Sequence, residues 1–144
     1  MSENGHTIRL ECSSHFDMLE LVQVLNDYVK QVRSLDDHSM HRVSVAVRES
    51  VINAIKYDNA EDETKRVLVE FQLHSTTQLT QLMVHVVDQG AGFAPEAATD
   101  PMVPENLLKP ISRGILFMRM FMDDLHFLPL FGDGTEVRMV KKLA

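Results

Sequence analysis

The stretch VLVEFQLHSTTQLTQLMVHVVD (67–88) decides the fold. Two apolar runs, 67–73 and 81–88, read as strands, and the polar stretch from His74 to Thr80 between them reads as a hairpin connection, so the pair is antiparallel. Working outward toward the N-terminus, TIRLEC (7–12) alternates apolar and polar residues and is a half-buried strand. Ser13–Ser14 then offers a helix cap, with Asp17 three residues after Ser14. Phe16, Leu19, Val22, Leu25, Val29 and Val32 follow at helical spacing, which predicts a first helix to about residue 33. A second helix is predicted over about 38–58, with a stripe of Val43, Val47, Val51 and Ala54.

Beyond the hairpin, residues 89–111 contain Pro95, Pro101, Pro104 and Pro110 and read as a long functional loop. A third helix over about 113–124 and two strands, 125–130 and 135–142, complete the pattern, with the turn GDGT at 132–135. The order β-α-α-β-β-loop-α-β-β predicts one domain over 1–144. It is an α/β two-layer sandwich whose mixed, mostly antiparallel sheet carries its helices on one face.

A chain of 144 residues that is 44% hydrophobic and 24% charged buries an ordinary core. The net charge of −7, with no block of lysine or arginine, excludes nucleic acid as the main partner. No apolar run reaches the length of a membrane span and the N-terminus lacks a signal core, so the expected location is the cytoplasm, with no membrane partner. The single cysteine, Cys12, cannot form an internal disulfide. His38 and His41 are spaced like metal ligands but read as a solvated pair. Leu21, Val24 and Tyr28 lie off the first helix's main stripe and form a second apolar patch suited to a homodimer or a protein partner.

Four segments carry candidate chemistry. In RESVINAIKY (48–57), Glu49 and Asn53 stand four residues apart and project from one helix face. A carboxylate there can accept a proton, and a carboxamide can give an oxygen to a hard cation. In VVDQGAGF (86–93), Asp88 ends a strand, and Gly90 and Gly92 free the backbone to turn and approach a ligand. In SRGILFMRMFMDDL (112–125), Ser112 can cap a helix whose first turn contains Arg113 and Gly114, a combination suited to an anion. In GDGTEVRMV (132–140), a glycine turn enters a strand with Gly134 and Thr135 at its mouth. Each has an ordinary structural alternative: a solvated helix face, a plain turn, a capped amphipathic helix, a hairpin. Their order along one chain is what points to a nucleotide site.

Taken together these segments resemble the N, G1, G2 and G3 boxes of the GHKL (Bergerat-fold) ATPases, the superfamily of gyrase and the sensor histidine kinases. Within it the chain is most similar to the anti-sigma-factor serine kinases, over nearly its whole length. The resemblance implies ATP and Mg²⁺ as cofactors, Glu49 as general base and Asn53 as magnesium ligand. It also implies Asp88 as the adenine-recognising carboxylate with Gly90 and Gly92 in its turn, Gly114 beside the phosphates, and Thr135 near the base. Ser112 stands where the family often has the first glycine of its third box, and Tyr57 where it often has His or Arg. The implied function is an ATP-dependent serine kinase that binds a sigma factor and phosphorylates a small STAS-domain antagonist. Two alternatives are a nucleotide-regulated protein that only sequesters the sigma factor, and a stand-alone histidine-kinase-type catalytic domain. The chain leaves no length for an attached phosphoacceptor domain, so the expected substrate is a separate protein.

Overall fold

The computed structural model describes residues 4–32, 35–76, 79–90, 110–130 and 134–143. Five strands form one sheet: β1 (Asn4–Ser13), β2 (Arg66–Ser75), β3 (Thr80–Val87), β4 (Asp124–Pro129) and β5 (Thr135–Lys142). Their order across the sheet is β1-β2-β3-β5-β4. Every pairing is antiparallel, so the parallel component of the expected mixed sheet is absent among the described residues. The β2–β3 hairpin pairs Leu73 with Leu82 and Phe71 with Val84, the register that places both apolar sets on one face.

Three helices cover that face: α1 (Met18–Val32), α2 (Asp37–Asn53) and α3 (Pro110–Phe121). Val67, Val69, Phe71, Leu82, Val84, Val86 and Met139 of the sheet pack with Val22, Val43, Val47, Val51, Ile115 and Met118 of the helices in one continuous core. The two-layer sandwich follows directly from strand alternation on one side and helical stripes on the other.

Helix boundaries depart from the periodicity in instructive ways. Ser14 does not cap α1; its backbone N–H donates to Lys65 O at 2.9 Å, tying the chain to the entrance of β2, and the helix starts at Met18. Phe16 and Val32, assigned to the buried stripe, are exposed, whereas Val22 and Val29 are buried. The second patch is exposed as expected, with Leu21, Val24 and Tyr28 at 50%, 62% and 53%. Asp36 caps α2, its carboxylate accepting the Ser39 N–H at 2.9 Å. The α-helix ends at Asn53 and continues to Asp58 as a single π-helical turn, Ala54–Asp58. Helix α3 begins at Pro110, three residues earlier than its periodicity indicated, because proline's fixed φ and missing N–H are tolerated in a first turn.

Candidate functional site

The lower part of the site is built by two helices in unusually close approach. Glu49 and Asn53 stand one turn apart on α2; Glu49 is half-buried and Asn53 is 4% exposed. Helix α3 crosses them at Gly114. A Cβ placed on that glycine would stand 2.9 Å from Glu49 Oε2 and 3.5 Å from Asn53 Nδ2. Absence of a side chain at Gly114 is therefore what allows the two polar groups to lie against α3. Among the described residues the Asn53 Nδ2 atom has no hydrogen-bond partner, and neither does the Oγ of fully buried Ser112 in the first turn of α3. Buried polar atoms without partners cost free energy, so their persistence fits a ligand.

Ser112, expected from the sequence to cap the helix, lies inside its first turn instead. The N–H groups of residues 111 and 112 nevertheless have no acceptors within α3, which keeps the helix entrance suited to an anion. Arg113 is exposed at the same turn.

The upper part of the site centres on Asp88, 2% exposed just past the end of β3. Its backbone N–H donates to Thr135 O at 3.1 Å, extending the pairing with β5. Its Oδ1 accepts the Gly90 N–H at 3.0 Å and the Thr135 N–H at 3.3 Å. Thr135 thus holds Asp88 through its backbone and is itself buried at 5% exposure. Two glycines make this packing possible. A Cβ on Gly90 would fall 1.7 Å from Asp58 O, and one on Gly134 would fall 2.4 Å from Asp88 O. Gly134 also has φ of +127°, a conformation that side-chain-bearing residues rarely adopt.

The π-helical turn Ala54–Asp58 joins the two parts, following directly on Asn53. Single π turns inside helices are frequent at functional sites because they re-aim the residues that follow. Here the turn delivers Asp58 to Asp88 and Asn59 to the end of β3. Asn59 is fully buried, accepts the Gln89 N–H at 3.1 Å and donates to Arg66 O at 3.2 Å. Gln89 in turn accepts the Arg66 N–H at 2.7 Å. Burial, then a hydrogen bond with Asp88, then the Asp88 charge push the Asp58 carboxyl from an ordinary 3.8 up to about 9.

The sequence reading named Glu49, Asn53, Asp88, Gly90, Gly114 and Thr135, and the fold brings them into these two adjoining parts. Gly92 lies outside the described residues, as do most of the loop 89–111 and Gly132 of the last turn. Asp58 and Asn59 were missed. Both follow NAIKY at what periodicity reads as the end of an ordinary helix, and no local pattern signals that their side chains turn inward. His38 and His41 are both exposed, and no group of three or more His, Cys, Asp or Glu able to hold a metal occurs among the described residues. A cavity of about 150 Å³ lies elsewhere, between α1 and the β1–β2 pair, lined mainly by apolar side chains such as Ile8, Val29 and Phe71.

A scan against protein-family models matches residues 17–141 to the histidine kinase-like ATPase domain. A search of curated proteins finds no match. No helix among the described residues is long and apolar enough to cross a membrane.

Proposed function

Because the chain belongs to the histidine kinase-like ATPase family, we propose that it binds ATP with magnesium and transfers the terminal phosphoryl group to a serine of a separate protein. The observation that carries this reading is the seating of Gly114 against Glu49 and Asn53. It sets a carboxylate, a carboxamide whose Nδ2 has no partner among the described residues and the entrance of a helix side by side, as phosphoryl transfer requires.

In this reading Asp88 accepts a hydrogen bond from the exocyclic amine of the base while Gly90 and Thr135 fix its carboxylate from behind. The N–H groups at the start of α3, with Arg113, receive the phosphates. Magnesium suits the Asn53 carboxamide, whose Nδ2 has no partner among the described residues and whose oxygen can take its place by rotation about the last torsion, and a bound ion would neutralise phosphate charge. Glu49 orients the acceptor hydroxyl and takes its proton. Asn53 and Glu49 therefore separate binding from chemistry while sharing one helix face.

We further infer that the acceptor is a small STAS-domain antagonist and that a sigma factor competes with it for this kinase in the cytoplasm. The support is the sequence resemblance, together with the acidic balance of the chain. Radiolabelled ATP incubated with the protein and candidate antagonists tests the reading: acid-stable label on serine is expected. Acid-labile label on histidine would assign a histidine-kinase reaction instead. Tight sigma-factor binding without transfer would assign sequestration alone.

A further inference from the structure

Asp58 and Asp88 are two buried carboxyl groups in hydrogen-bonding contact, at 5% and 2% exposure. Asp58 Oδ1 accepts no hydrogen bond from a donor among the described residues. Two carboxylates cannot both stay ionised at such range in a buried place, so the pair holds a proton. Asp88 Oδ1 already accepts two backbone N–H groups, which favours placing that proton on Asp58.

We propose that Asp58 is a positioning residue for base recognition: its protonated carboxyl donates a hydrogen bond to Asp88 and holds that carboxylate in place, so that loss of the proton releases nucleotide. This rests on the reading of Asp88 as the base-binding carboxylate.

Among the described residues, no cation compensates a charge on Asp58. From the end of β3 it meets Asp88, and the Gly90 backbone packs against the Asp58 carbonyl. From β5 the neighbours of Asp88 are Gly134 and Thr135, both uncharged. At the start of β2, the Arg66 guanidinium is held by Glu11. Within its own segment, the Lys56 ammonium lies over the Tyr57 ring, 5.5 Å from its centroid, and Glu61 and Asp62 are exposed. Among the described residues Asp88 is the charged group that acts on Asp58, and burial and that contact both raise its affinity for the proton. The π-helical turn and the contact of Gly90 with the Asp58 carbonyl fix the Asp58 backbone against the segment that follows β3.

The test measures Mg·ADP affinity by calorimetry on the full chain between about pH 7.5 and pH 10, a window that brackets the Asp58 pKa of about 9. Wild-type affinity is expected to fall about tenfold across it, the loss of one hydrogen bond to a charged group. Asp58→Ala should be weaker by about tenfold at the lower pH. Asp58→Asn, whose amide donates without titrating, should recover most of that loss and remove the pH dependence. Affinities of wild type and Asp58→Asn that change in parallel with pH would overturn the proposal. Infrared difference spectra of nucleotide-free protein, wild type minus Asp58→Asn, provide a readout that needs no ligand. The carbonyl stretch of a protonated carboxylic acid at pH about 7.5, bleaching toward pH 10, is expected if the pair holds its proton. Its absence would overturn the proposal, whereas its presence in a protein that binds no nucleotide would sink only the reading of Asp88.

Discussion

At the scale of single residues, each glycine of the site is defined by what its missing Cβ would strike. Gly114 faces the far end of a flexible side chain, so Gly114→Ala is expected to fold while displacing the Glu49 carboxylate. Transfer rate should drop while nucleotide affinity and thermal stability stay near wild type, checked by single-turnover kinetics and a melting curve. Asp88 offers the converse case. Asp88→Asn puts a donor where the base amine also donates, and loss of such a charged hydrogen bond should cost roughly 1.5–3 kcal/mol of ATP affinity. Calorimetry giving equal affinities would remove Asp88 from the binding site. Asp58 adds a stability signature of its own. Its folded pKa of about 9 exceeds the ordinary 3.8, so the folded protein keeps a proton that the unfolded chain releases between those values. This group's contribution to stability therefore falls as pH rises through that window, and Asp58→Asn should flatten the slope. Urea midpoints at pH about 6 and about 9 measure it. At this scale the sequence was legible where spacing alone places two side chains together, as with Glu49 and Asn53 on one face of α2. It was silent for Asp58, whose carboxyl meets a neighbour 30 residues away in the chain.

At the scale of elements, the strands were legible because one buried face imposes strict alternation, and a slip of one residue would expose the whole apolar set. Helix starts were not. Ser14 has the chemistry of a cap, but pairing its N–H with Lys65 extends the sheet's grip on the chain, and that tertiary bond wins. Pro110 was read as part of a loop because proline punctuates loops, yet it also opens helices. The π-helical turn carries no local signature at all. It is stabilised from outside, by Gly90 against Asp58 O and by the Asn59 bonds to Gln89 and Arg66. Gly90→Ala should accordingly break the junction of α2 with β3, since backbone at 1.7 Å cannot yield as a side chain does. Overpacking of this kind costs about 1–3 kcal/mol or more, and we expect a lowered denaturation midpoint together with lost ATP binding. A variant of unchanged midpoint would show that the junction accommodates a methyl group.

At the scale of the whole molecule, the sheet serves as a frame that brings four separated segments together. β3 and β5 are neighbours, so the residues after one and at the start of the other, Asp88 and Thr135, meet although 47 positions apart. α2 and α3 lie side by side on the same face, which joins Glu49 to Gly114. The family could be read from the order of these segments, but their contacts are products of topology and could not. The same scale governs the last prediction. A protein of net charge −7 that phosphorylates a docked partner adds about two negative charges to a surface facing its own acidic field. Product should then leave faster than substrate, and the effect should shrink with salt because exposed charges are screened over about 8 Å at physiological ionic strength. Surface plasmon resonance with the unmodified antagonist and with its phosphoserine form, at low and at high salt, measures both dissociation rates. The phosphorylated form is expected to dissociate faster, with the difference narrowing as salt rises. Equal rates at low salt would mean that charge does not drive product release, and that any partner switching depends on a change of shape instead.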